Sequence, residues 1–201
     1  MTASRTLLPR DLRVGLFLLL AIVMLATRSH HFAALPDASW AVFFAGGFYL
    51  SWRIAFPLLF ALAVAIDFAV IANTGTSFWD HYCMSAAYWF LLPSYAALWA
   101  GGAWLRRHHA GLRLRDLGLL GASALVAVTT CYLVSNGSFY WLGDAVPEPR
   151  TFGGWLKNLG DWYLPFLKTT LVYIAIGAAL HVLTVLAVRA LPQNGDATQH
   201  H

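Results

Sequence analysis

Cys83 follows Asp80-His81-Tyr82 and opens a long apolar run, and it is the residue of this chain best placed to do chemistry. A thiol at a helix amino terminus meets free N–H groups and the positive end of the helix dipole, both of which favour the thiolate; the neighbouring Asp80 opposes them. A thiolate is a soft ligand for transition metals. His81 and the pair His30-His31 supply imidazoles that could assist it or act separately. Asp67 is the costliest residue: a carboxylate within an apolar span costs at least about 2.5 kcal/mol unless it faces a partner or water. It is expected to point inward, towards Lys168, Arg150 or a donor on a ligand.

Each of these residues also has a plainer reading. Cys83 could be a small buried apolar side chain or form a disulfide with Cys131. Asp67 could make only a hydrogen bond between helices, and Tyr88, five residues after Cys83, could be packing or border a wide cavity. His181 reads as an interhelical hydrogen-bonding residue. Neither C-x-x-C nor H-E-x-x-H occurs, which argues against structural zinc.

The elements that position these groups are membrane helices. The chain has 201 residues, 59% hydrophobic and 11% charged, with a mean hydropathy of +0.62, more apolar surface than a soluble domain of this size can bury. Six apolar segments stand out: Val14 to Thr27, Trp40 to Trp52, Ile54 to Ala72, Cys83 to Leu105, Leu117 to Val134 and Leu164 to Leu191. The second reaches only about 20 Å at about 1.5 Å per residue, short of the roughly 30 Å hydrocarbon core, so neighbours or a cavity must shield it. A sharp turn at 51–53 separates it from the third. Pro93 is expected to kink the fourth helix and open a cup. Residues 1–198 read as one integral membrane domain, with 199–201 as a tag remnant.

Arginines and lysines set the orientation. With a cytoplasmic amino terminus, Arg5, Arg10, Arg13, Arg53, Arg106, Arg107, Arg113, Arg115 and Arg189 fall inside, and Arg28, Arg150, Lys157 and Lys168 outside. Nine against four favours this arrangement, which leaves both termini cytoplasmic. The outer loops are then 28–39, 73–82 and 135–163. The last carries Phe139, Tyr140, Trp141 and Arg150; a loop of that length with so many aromatic residues reads as functional. Asn136-Gly137 within it reads as a turn. His30, His31, Asp67, His81, Tyr82, Cys83 and Tyr88 all gather towards the same membrane face.

The six-span plan, His30-His31, Asp67 and above all the run Asp80-His81-Tyr82-Cys83-Met84-Ser85-Ala86-Ala87-Tyr88-Trp89 resemble the small cobalamin transporters of the BtuM type. These are relatives of the substrate-binding S-components of energy-coupling-factor transporters, and the resemblance covers most of the chain. It implies an inner-membrane protein of bacteria that binds and takes up cobalamin in a pocket opening away from the cytoplasm, with Cys83 as axial ligand to cobalt. His30, His31, Asp67, His81, Tyr82, Tyr88, Phe139, Tyr140, Trp141 and Arg150 are the candidates to line that pocket. Aromatic walls with a few polar groups suit a flat corrin edged with amides. Thiolate coordination would also let Cys83 act in removing an upper ligand such as cyanide.

One departure concerns partners. S-components that dock on a shared energising module commonly carry Ala-x-x-x-Ala on the first helix, whereas Ala21 and Ala26 here stand five apart. With no Walker motif either, the chain is expected to act alone, without hydrolysing ATP. Two other readings stay open: an intramembrane redox or haem-handling enzyme using Cys83, His81 and His30-His31, and an S-component for another vitamin.

Overall fold

The computed structural model describes residues 9–29, 36–75, 77–81 and 84–190. His30, His31, Tyr82 and Cys83 lie outside the described residues. The described chain forms six α-helices: α1 (Arg10–Arg28), α2 (Ser39–Tyr49), α3 (Trp52–Asn73), α4 (Leu91–His108), α5 (Leu114–Leu142) and α6 (Phe152–Ala190). Three of them, α3, α5 and α6, are long and apolar enough to cross a membrane. Successive helices reverse direction, so the bundle has two ends, one marked by Arg28 and the other by Arg106.

α2 is the hub. Its eleven residues span only about 16 Å at about 1.5 Å per residue, and most of its side chains are buried on all sides. A helix that is apolar all round is stable only when surrounded, and α1, α3, α4 and α6 supply the surround. The α2–α4 contact is the most extensive in the bundle, and glycines make it possible. A Cβ on Gly47 would collide with the Trp99 carbonyl, one on Gly102 with the Phe44 carbonyl, and one on Gly46 would lie 2.6 Å from the Trp99 ring. These three glycines let the helices approach as small residues do in membrane helix pairs. Phe43, Phe56, Tyr95 and Trp99 stack around the crossing, Phe43 on Tyr95 at 4.3 Å and Phe56 edge-on to Trp99 at 5.4 Å.

Four expectations about local structure are corrected. The fourth helix does not open at position 83: a 3-10 turn runs over Ala86–Phe90 and the α-helix begins at Leu91. Pro93 therefore sits in its first turn, where a missing N–H costs nothing, and no mid-helix kink follows. The supposed long loop 135–163 is mostly helix, because α5 continues to Leu142 and α6 starts at Phe152. Asn136-Gly137 is helical, with Asn136 Nδ2 donating to Asn158 Oδ1 at 2.7 Å across to α6.

Candidate functional site

Arg28 closes α1, and its guanidinium gathers four side chains in the interior of the Arg28 end, with Tyr88 joining through Asp67. Nε and Nη2 donate to the two oxygens of Asp67 at 2.7 and 2.6 Å, a bidentate fork. Nη1 donates to Asp37 Oδ2 at 2.9 Å, Tyr95 Oη at 3.1 Å and Ser39 Oγ at 3.2 Å. Tyr88 Oη donates to Asp67 Oδ2 at 2.7 Å, and Asp37 Oδ1 accepts from both the N–H and the hydroxyl of Ser39 at 2.8 and 2.6 Å. Arg28 is 5% exposed and Asp67 7%, so both charges are tolerated only because they meet.

Asp67 is thus inward-facing and paired, as its cost demanded, but neither Lys168 nor Arg150 is the cation that forks it. The expectation missed Arg28 because a cation ending an apolar run was counted as a topology marker. The available signal was an arginine at the end of one apolar helix and a carboxylate near the corresponding end of another. The network ties together α1, the chain entering α2, α3, the 3-10 turn and α4.

That fastening reaches the chain that leads into α4. Met84 N donates to His81 O at 2.7 Å and Tyr88 N to Ser85 O at 3.0 Å, and Met84 and Ser85 form a short link outside any helix. Tyr88, 3% exposed, is the anchor that fixes this link to α3 through Asp67. Removing its hydroxyl deletes one hydrogen bond to a charged group, an interaction that contributes about 1.5–3 kcal/mol. Tyr88→Phe is accordingly expected to lower the thermal unfolding midpoint of the purified protein, with Tyr173→Phe, which loses only a partly exposed bond to Pro36 O at 2.8 Å, shifting it less.

The aromatic and basic residues of 139–150 lie at the junction of α5 and α6. Tyr140 is buried in α5 and its hydroxyl donates to Thr151 O at 3.0 Å, closing the connection to α6. Trp141 faces Trp155 across the two helices, with ring centroids 6.3 Å apart. Phe139 belongs to the last turn of α5, and its carbonyl accepts the Gly143 N–H at 3.2 Å. Arg150 donates to the carbonyls of Trp141 and Gly143, the latter at 2.7 Å, and pairs with Glu148 at 3.3 Å. It satisfies carbonyls left over at the end of α5, and its donors are engaged in that task. His81 is half-buried beside the open segment. Among the described residues no three His, Cys, Asp or Glu side chains converge as a metal centre would need. Cys131 is a free, buried thiol in the core against α4.

At the Arg106 end α5 and α6 part, although they are joined near the Arg28 end by the Thr129–Tyr163 hydroxyl pair at 2.7 Å and by Tyr132 Oη donating to Leu159 O at 2.8 Å. The gap is an apolar cavity of about 380 Å³ between α2, α5, α6 and the α4–α5 connection. Tyr49 Oη and His181 Nδ1 are hydrogen-bonded at 2.9 Å on its wall. His181 is therefore an interhelical partner, as its place in an apolar helix suggested.

Fold and site together define an all-helical protein with three helices able to cross a membrane and a buried ionic network under an irregular segment. No family model matches the chain, and no curated protein matches it.

Proposed function

We propose that the chain is a six-pass cobalamin-binding transporter of the bacterial inner membrane, with both termini cytoplasmic and the Arg28 end facing outward. Cys83 is its ligand to cobalt. The observation that carries this reading is the late start of α4: Ser85 is extended, a 3-10 turn runs over Ala86–Phe90, and Tyr88 ties that turn to Asp67 on α3, so the α-helix begins only at Leu91. Irregular backbone at membrane depth is tolerated where it is buried in protein or lines a cavity, and a link of this kind can bring a sulfur up to a flat ligand. Because the α-helix starts only at Leu91, the helix dipole plays little part in activating the thiol.

Two further features support the reading. Trp79 and Trp89 flank position 83 and expose 72% and 57% of their surface, offering flat apolar faces. Ser85 Oγ, Asn136 Oδ1 and Trp155 Nε1 are buried at this end without a hydrogen-bond partner. A buried polar atom left unpaired costs about 1–3 kcal/mol, and the amide-edged rim of a corrin carries donors and acceptors of both kinds. The six-pass topology is supported by the alternation of helix direction, which returns both Arg10 and Ala190 to the Arg106 end, and by the nine-to-four distribution of cations.

The test is spectroscopic. Purified protein mixed with cyanocobalamin is expected to shift the corrin absorption bands as sulfur replaces an axial ligand, and Cys83→Ala is expected to abolish that shift while unfolding at the wild-type temperature. An unchanged wild-type spectrum, or the same change in Cys83→Ala, overturns the assignment of the cobalt ligand. A Soret band on purification would point to haem handling, and a colourless protein with high affinity for another vitamin to a different cargo. Growth of a bacterial strain dependent on imported cobalamin, with and without this protein, tests uptake itself.

A further inference from the structure

The cavity at the Arg106 end has the shape and chemistry of a second site. Its walls are apolar: Ala41 and Phe44 from α2, Leu120 from α5 and Ile174 from α6. At about 380 Å³ it falls within the roughly 300–1,000 Å³ range of ligand pockets. It is open where α6 borders it, since a Cβ on Gly177 would meet nothing within 4 Å.

Beside the Tyr49–His181 pair on its wall, formal charge is confined to the rim. Residues 106–116 carry Arg106, Arg107, Arg113 and Arg115 against one acid, Asp116. Asp116 is turned back on the chain, its oxygens accepting the N–H groups of Ala110 at 2.7 Å and Arg113 at 3.3 Å. Arg107, Arg113 and Arg115 are exposed, and Arg113 itself lines the cavity. Leu114 and Leu117, interleaved with these arginines, expose 88% and 63% of their surface. Alternating leucine and arginine at a helix start is the pattern of a segment lying at the level of lipid headgroups, leucines in the acyl region and guanidiniums among the phosphates.

We propose that this cavity binds one anionic phospholipid from the adjoining leaflet, with an acyl chain between α5 and α6 and the phosphate at Arg113 and Arg115. The occupant must be amphipathic, because the cavity is largely apolar along its depth and cationic only at its rim. Its negative charge follows from the excess of arginine over acid there. A basic pocket between membrane helices on the arginine-rich side suits such a headgroup.

Native mass spectrometry of the purified protein, incubated with equal amounts of dioleoylphosphatidylglycerol and dioleoylphosphatidylcholine, tests this. Wild type is expected to retain the anionic lipid in preference by about tenfold or more, as two arginines near a headgroup would give. Arg113→Gln with Arg115→Gln is expected to bring that preference close to unity while still retaining lipid. Gly177→Phe, which fills the cavity, is expected to lose both lipids with an unchanged unfolding temperature. Equal retention of the two lipids by wild type overturns the proposal, as does undiminished lipid on a folded Gly177→Phe variant. Displacement of the lipid by glycerol phosphate at equal concentration also overturns it, since the site would then read phosphate alone. Should Gly177→Phe fail to fold, the arginine variant decides.

Discussion

Arg28→Leu is expected to destabilise the protein by about 3–5 kcal/mol, the usual result of removing one partner from a buried ion pair. The guanidinium holds Asp67 by two hydrogen bonds and Asp37, Ser39 and Tyr95 by one each, and nothing in a leucine replaces them. The two carboxylates left behind fare differently. Asp37 has a side chain 27% exposed and can turn to water, whereas Asp67, at 9%, cannot. The penalty therefore falls mainly on Asp67, and adding Asp67→Leu to Arg28→Leu is expected to recover part of the lost stability. Thermal unfolding of the purified single and double variants measures this. A wild-type midpoint for Arg28→Leu, or a double variant weaker than Arg28→Leu alone, would show that the network does not carry the bundle's Arg28 end.

The second large effect is expected at Gly102. A Cβ there would overlap the carbonyl oxygen of Phe44 and stand 2.9 Å from Phe48 N. Both atoms belong to the backbone of α2, so no side-chain rotation can make room and the helices must separate. Overpacking a core commonly costs about 1–3 kcal/mol, and at a backbone contact Gly102→Ala should lie at the top of that range or above it. Gly118→Ala on α5, where a Cβ meets nothing within 4 Å, is the control and is expected to change stability by no more than about 1 kcal/mol. Comparable midpoints for the two variants would mean that α2 and α4 do not rely on close approach.

How far the sequence discloses the molecule depends on the range of the physics involved. Hydrophobicity acts over whole segments, so the all-helical class and α3, α5 and α6, the helices long and apolar enough to cross a membrane, are legible. The cost of a carboxylate in an apolar span is also local, which made Asp67 recognisable as inward and paired. What it pairs with is a tertiary fact, and Arg28 lies 39 residues away.

Boundaries misled for a related reason. Hydropathy falls through residues 135–163 because polar and charged groups appear there, but helical hydrogen bonding is indifferent to polarity, and α5 and α6 continue through most of the stretch by packing on each other. α6 runs for 39 residues, about 58 Å at about 1.5 Å per residue, far beyond what a hydrocarbon core requires. Arg150 stood out by its charge, while the carbonyls it caps are visible only in the fold. The glycine pairs 46-47 and 101-102 were visible as letters, yet which helix each would face was not.

The glycine crossing also bears on how the molecule can move. At the opposite end from Tyr88, Arg106 on α4 donates to Leu50 O at the end of α2 at 3.1 Å, so the two helices are locked by backbone contact midway and by a hydrogen bond at the tip. Tightly packed interiors resist compression and pass displacement along. α2 and α4 are therefore coupled as a single strut that joins the contact of Tyr95 with Arg28 to the wall that carries Phe48 and Tyr49.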